Sequence, residues 1–130
     1  MGQEQYLIDS NVIIDYLNGK LPIDGMIFMG SVVDKIPIIS VISQIEVLGF
    51  KAPPEDALLL NDFMDVAQII GLPDNIIKQT IELRKEYKIK TPDAIVAATA
   101  QLLNLTLISR NIKDFDKIKD LRLINPYFES

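Results

Sequence analysis

Thr91-Pro92-Asp93-Ala94-Ile95-Val96-Ala97-Ala98-Thr99-Ala100 is the stretch whose reading decides how this chain folds. It opens as a helix. The Thr91 hydroxyl can cap the first turn, and Pro92 suits the first helical position, where no amide donor is missed. Asp93 then falls in the first turn, where the positive end of the helix dipole favours an ionised carboxylate. Beyond it the chain is apolar on nearly every side, with only Thr99 and Gln101 interrupting the run from Ala94 to Leu103. A helix apolar all round is a buried helix, and its alanines let neighbouring backbone come close. A carboxylate therefore stands at the mouth of the core on a rigid support, where it needs partners. The bland alternative is that Asp93 only complements the dipole.

Short apolar runs flank this helix on both sides. Tyr6-Leu7-Ile8, Ile36-Pro37-Ile38-Ile39-Ser40, Val66 to Ile70, Leu105-Thr106-Leu107-Ile108 and Leu121-Arg122-Leu123-Ile124 read as strands. Helical patterns separate them. One is capped by Ser10 and stops near Asn18-Gly19, and a second runs from about Pro22 to Lys35. A third opens at Ser43-Gln44-Ile45-Glu46 and ends near Gly49, and a fourth starts at Pro53-Pro54. A long amphipathic one spans Pro73 to about Tyr87, and Asn111 to Ile118 reads as a loop or short helix. Strands alternating with helices imply an α/β fold, a parallel sheet covered by helices on both faces. In such a fold the helix from Pro92 must start on the rim where the carboxyl ends of the strands emerge. Asp9 ends a strand, Glu46 lies a few residues past another, and Asp114 follows the strand 105–108. All four acids should gather on that rim, where open α/β sheets bind ligands.

Composition narrows the chemistry. The chain has 130 residues, is 48% hydrophobic and has a mean hydropathy of +0.21. That suits one domain over 1–130 with one core. It contains neither Cys nor His, which removes disulfides, thiolate metal sites, histidine acid–base catalysis and most zinc chemistry. A hydrolase built this way works with carboxylates, and four of them in one cleft repel unless a cation sits between them. Oxygen-only ligands point to Mg²⁺ or Mn²⁺. Such an ion can activate water against a phosphodiester. The Met1-Gly2-Gln3-Glu4-Gln5 start lacks a signal-peptide pattern, Tyr6 breaks a myristoylation match, and no run is long enough to span a membrane. A soluble cytoplasmic protein is expected, with no membrane partner.

The formal net charge is −5, but it is unevenly spread. Residues 1–75 carry Lys20, Lys35 and Lys51 against eleven acids, whereas residues 76–122 carry ten Lys and Arg against six acids, a local balance of +4. An acidic half beside a basic half suggests two partners, or one partner and one metal site. For Lys78, Arg84, Lys85 and Lys88 the plain alternative is a solvated helix face.

The candidate residues each have a structural rival. Glu46 lies three residues after Ser43, which is also a capping-box spacing. Asp9 could simply end a strand, although a charge directly after Leu7-Ile8 is costly unless used. Asp114 and Asp116 lie in a polar stretch and could be solvated, and Asp15 reads as a surface acid. Asn11, Ser43 and Ser109 could orient carboxylates or waters around a metal.

Leu7-Ile8-Asp9-Ser10-Asn11-Val12, Ser43-Gln44-Ile45-Glu46, Pro92-Asp93-Ala94-Ile95-Val96-Ala97-Ala98-Thr99-Ala100 and Ser109-Arg110-Asn111-Ile112-Lys113-Asp114-Phe115 resemble, in order, the four motifs of the PIN domain. The overall size resembles the VapC-type toxins of toxin–antitoxin pairs. The resemblance implies a five-stranded parallel sheet and Mg²⁺- or Mn²⁺-dependent ribonuclease activity on an RNA substrate. It also implies a homodimer, and a cognate antitoxin whose tail enters the cleft. By position, Asp9, Glu46, Asp93 and Asp114 would form the acidic metal site, with Asp116 a second candidate for the fourth place. Ser109 stands where Thr is usual. Asn111, Arg110 and some of Lys85, Lys88, Lys90 and Lys113 would serve the substrate, the cations by holding phosphates. The acidic first half fits a basic antitoxin segment, with Pro54–Asp65 the expected contact. The rival functions are a non-catalytic PIN-like module that binds RNA or protein, and an aspartyl-phosphate phosphatase. Against the phosphatase, Asn11 stands where a second Asp would be expected.

Overall fold

The structure is a computed structural model and describes residues 4–128; the Met1-Gly2-Gln3 start read above for targeting signals lies outside them. Five parallel strands form one sheet: β1 (Tyr6–Ile8), β2 (Ile38–Ser40), β3 (Gln68–Ile70), β4 (Thr106–Ile108) and β5 (Leu123–Ile124), in the order β3-β2-β1-β4-β5. The helices are α1 (Ser10–Leu17), α2 (Ile23–Val33), α3 (Val41–Leu48), α4 (Pro54–Val66), α5 (Asp74–Glu86), α6 (Thr91–Leu102) and α7 (Ile112–Phe115). The alternation expected from sequence is present throughout. The strands are shorter than their apolar runs, and Ile36 is exposed rather than part of β2.

The two-residue period of the strands sorts the core into two layers. Leu7 and Leu107 face α5 and α6, joining Ile76, Leu83, Val96, Ala97 and Phe115. Ile8, Ile39 and Ile108 face the other way, joining Val12, Met29, Val47, Leu60 and Met64. Within α6 the residues from Val96 to Ala100 are buried without a break, as its apolar circumference requires. Among the described residues no helix is long and apolar enough to cross a membrane.

Several helix ends differ from the sequence reading, and they do so where the site lies. Asp9, not Ser10, is the N-cap of α1; its carboxylate accepts from the Ser10 amide at 2.9 Å. Ser40, not Ser43, caps α3, accepting from the Ile42 amide at 3.2 Å. Lys90 occupies the cap position of α6 and Thr91 is already helical, so the Thr91 hydroxyl makes no cap bond. For α1 and α3 the strand ends immediately before the helix begins, and this tight junction shifts the cap one and three residues earlier. The far ends follow a common pattern. α1 closes through Gly19 at φ 68°, with the Lys20 amide donating to the Asp15 carbonyl at 2.8 Å. α6 closes the same way through Asn104 at φ 56°, with the Leu105 amide donating to the Ala100 carbonyl at 2.8 Å. That closure turns the chain from α6 straight into β4.

Candidate active site: a carboxylate rim

The strand order reverses at β1, which pairs with β2 on one side and β4 on the other. This is the switch point at which open parallel sheets form a crevice at their carboxyl ends. Asp9 follows β1 there and Ser109 follows β4. The two strand ends are neighbours, since the Asp9 amide donates to the Ile108 carbonyl at 2.9 Å. The Ser109 hydroxyl therefore reaches Asp9, donating to Oδ2 at 2.7 Å while Oδ1 takes the Ser10 amide. Asp9 is only 7% exposed. Burial raises its pKa, and the Ser109 and Ser10 donors partly oppose that rise.

Asp93 stands on the first turn of α6, half-buried. Its carboxyl is pushed up to about 6, first by burial and then by the charges of Asp9, Asp114 and Glu46, with Lys90 acting in the opposite sense. The four acids singled out in the sequence thus share one electrostatic site. The same observation groups Asp114 with the other three, whereas Asp116 is exposed at the end of α7 and does not act on Asp93. Asn111 holds Asp114, its side-chain amide donating to Oδ2 at 3.0 Å, and its own backbone amide donates to the Ser109 hydroxyl at 3.0 Å. Ser109 and Asn111 therefore link Asp9 to Asp114 through one short loop.

Glu46 is exposed on α3, and its Oε1 accepts from the Ser10 hydroxyl at 3.0 Å. The capping-box reading of Ser43 and Glu46 fails, because Ser43 lies inside α3. The Ser43 hydroxyl is fully buried with no hydrogen-bond partner among the described residues. Asn11 is exposed on α1. Arg110, read from the sequence as a substrate residue, pairs with Asp15 at 3.4 Å and lies 5.5 Å over the Tyr127 ring. The Tyr127 hydroxyl also donates to Asp15 and its pKa is raised, by burial and then by that carboxylate. Asp15 is thus a half-buried partner and not the plain surface acid of the sequence reading. Lys88, Lys90 and Lys113 are exposed, and Lys85 pairs loosely with Glu82 at 3.7 Å.

Two contributions escaped the sequence reading. Ser10 bridges the Asp9 and Glu46 motifs; the available signal was a small polar residue directly after the first acid. Lys90 moderates the charge at Asp93; the signal was its place three residues ahead of that acid.

An oxygen-only donor set suits a hard divalent ion. Among the described residues no three Asp or Glu side chains come close enough to form a finished cage. The set is coupled through charge rather than contact. Mg²⁺ retains several of its waters and takes only one or two protein carboxylates directly.

A family model for the PIN domain matches residues 6–121. The chain is similar to one in a toxin–antitoxin complex from Klebsiella pneumoniae, with 32% identity over 95% of this chain and 98% of that one, and a TM-score of 0.76. It is similar to a chain of VapBC2 from Rickettsia felis, a complex solved with a DNA fragment from its promoter, with 25% identity, 92% and 97% coverage and a TM-score of 0.75. FitAcB from Neisseria gonorrhoeae shares the fold, with 20% identity, 95% and 99% coverage and a TM-score of 0.79. No curated protein matches at a significant level. The matched span, the parallel sheet and the acids at its carboxyl rim agree with one another, and the chain belongs to the PIN domain family, among its VapC-type members.

Proposed function

We propose that this protein is a metal-dependent endoribonuclease that hydrolyses RNA phosphodiester bonds, and that it is the toxin of a toxin–antitoxin pair. The observation that carries the reading is the placing of Asp9, Glu46, Asp93 and Asp114 toward the carboxyl rim of the sheet, where the charges of the other three act on the half-buried Asp93. Such a cluster disfavours its own ionised form, and a divalent cation reverses that penalty. A bound Mg²⁺ or Mn²⁺ would supply an activated water and neutralise the charge on the scissile phosphate.

The chain's own residues then have distinct tasks. Asp9, Glu46, Asp93 and Asp114 would hold the ion, one or two of them directly and the rest through its waters. Ser109 and the Ser10 amide fix the Asp9 carboxylate in one orientation, Ser10 orients Glu46, and Asn111 orients Asp114. Lys88, Lys90 and Lys113 stand exposed to meet backbone phosphates.

The partner reading draws on the complexes in which the similar chains were solved. The acidic helix α4 carries Glu55, Asp56, Asp62 and Asp65, and exposes Leu58 and Leu59 at 63% and 48%. It packs beside α3, which exposes Ile45 and Leu48. An apolar face edged with acids fits a basic amphipathic segment of an antitoxin. Self-association, which the family resemblance implies, is read by sedimentation.

The test is cleavage of a mixed RNA pool by the purified protein with Mg²⁺, Mn²⁺ or EDTA, beside Asp9→Ala and Asp93→Asn. Metal-dependent cutting that both variants lose supports the reading. Cutting that persists in EDTA, or in either variant, overturns the assigned site.

A further inference from the structure

We propose that Asp15 and Tyr127 are positioning residues for the carboxylate rim: they hold Arg110, and through it the loop 109–111 that aims Asp9 and Asp114. The proposal rests on the metal-site reading above. The loop is short, and its two ends each serve one acid. The Ser109 hydroxyl donates to Asp9 Oδ2 at 2.7 Å, and the Asn111 side-chain amide donates to Asp114 Oδ2 at 3.0 Å. Arg110 stands between them, with its carbonyl accepting from the Ile112 amide at 2.9 Å and its side chain directed to Asp15 and Tyr127.

Three pieces of chain meet at this arginine. Its Nη1 lies 3.4 Å from Oδ2 of Asp15 on α1, and its guanidinium carbon lies 5.5 Å from the centre of the Tyr127 ring, within cation–π range. The Tyr127 hydroxyl donates to the same Oδ2. An exposed ion pair alone fixes little. Here the Asp15 side chain is only 19% exposed and accepts from two donors, while the aromatic ring covers the planar cation. Each contact supports the other two. Tyr127 is itself held, its amide donating to the Asn125 side chain at 3.0 Å and its ring packing against the core layer of Val12 and Met29.

The loop is thereby tied to α1 at two points. Ser109 meets Asp9 at the start of the helix, and Arg110 meets Asp15, about 9 Å farther along its axis at about 1.5 Å per residue. A loop can swing about one hydrogen bond, and a second tie at that distance opposes the swing. The restraint has something to oppose, because the charges of Asp9 and Asp114 both act on Asp93 and like charges push their carriers apart. Groups that share an ion must stay within about 0.5 Å of their working geometry.

The test measures Mn²⁺ binding by electron paramagnetic resonance of the free ion, for wild type, Arg110→Ala, Asp15→Asn and Tyr127→Phe. Binding should weaken about tenfold in Arg110→Ala and Asp15→Asn and about threefold in Tyr127→Phe, at and below the low end of the roughly 10–100-fold cost of losing a group that orients a metal ligand. The sign for Arg110→Ala is decisive. Through-space charge alone predicts tighter Mn²⁺ binding when a nearby cation is removed, whereas a lost restraint predicts weaker binding. Tyr127→Phe changes no charge at neutral pH and keeps the ring. Unchanged or tighter binding in Arg110→Ala, or unchanged binding in Tyr127→Phe, overturns the proposal, even where the melting temperature falls. A raised KM for RNA in Arg110→Ala with Mn²⁺ binding intact also overturns it and makes Arg110 a phosphate contact. The metal readout stands whether or not wild type cuts RNA. Should wild type bind no Mn²⁺, the metal-site reading fails, and amide hydrogen exchange in EDTA decides the tie separately: faster exchange at Asn111 in Tyr127→Phe supports it, and equal exchange overturns it.

Discussion

Replacing Asp93 by Asn should make the metal-free protein more stable at neutral pH, while destroying the site. The reasoning starts from the Asp93 carboxyl, raised from 3.8 to about 6 by burial and by Asp9, Asp114 and Glu46. Between those two pH values the folded chain holds a proton that the unfolded chain has lost. Stability from this group therefore falls as pH rises through the window, and the penalty is complete above about pH 6. At 1.36 kcal/mol per pH unit the penalty has an upper bound of about 3 kcal/mol. The side chain is only half-buried, so water screens part of it, and Asn forgoes the favourable dipole interaction at the helix start. A net gain of about 1–2 kcal/mol remains for Asp93→Asn, or about 4–7 °C in Tm for a chain of this length. The assay is thermal unfolding in EDTA at pH 7.5 and pH 4, repeated with Mn²⁺ at neutral pH. The gain should vanish at pH 4, where wild type is itself protonated. With Mn²⁺ near 100 times its Kd, wild type should gain about 2.7 kcal/mol by mass action and the variant much less, which reverses the order. A variant no more stable than wild type in EDTA at pH 7.5, or one whose advantage persists at pH 4, would refute the electrostatic account of the rim.

Two further outcomes test other parts of the molecule. A Cβ at Gly25 would stand 2.0 Å from the Pro126 carbonyl oxygen, so Gly25→Ala should lower stability by about 1–3 kcal/mol through overpacking, read as a lower urea midpoint; an unchanged midpoint would show that the C-terminal segment yields freely. Leu58→Glu with Leu59→Glu should abolish binding of the purified cognate antitoxin while leaving RNA cleavage within about twofold, since charges placed in an apolar contact are expensive to bury; retained antitoxin binding in a pull-down would move the contact off α4.

Much of the fold was legible because its signals are local. Apolar runs of strand length, the all-round apolar circumference of α6 and the Asn18-Gly19 stop are properties of neighbouring residues, and all appear in the structure. The placement of Asp9, Glu46, Asp93 and Asp114 on one rim also followed from local information plus a single rule, that parallel connections return every strand to the same edge. What the sequence by itself determined was therefore the element order and the rim toward which these acids fall.

The partners of those acids were decided by tertiary structure. Ser43 and Ser40 are both plausible caps by composition, and only the junction between β2 and α3 selects Ser40 and leaves Ser43 buried within the helix. Asp114 lies in α7 and Asp116 caps its end; with Phe115 buried between them, Asp116 is exposed and Asp114 is the one whose charge acts on Asp93. Ser109 meets Asp9 because β4 lies beside β1, a strand order that no local pattern encodes. Arg110 meets Asp15 and Tyr127, which stand on α1 and in the C-terminal segment, because the fold brings those segments beside the end of β4. Propensity and periodicity act over a turn or a strand, whereas hydrogen bonds and ion pairs at a site join residues brought together by the order of strands in the sheet.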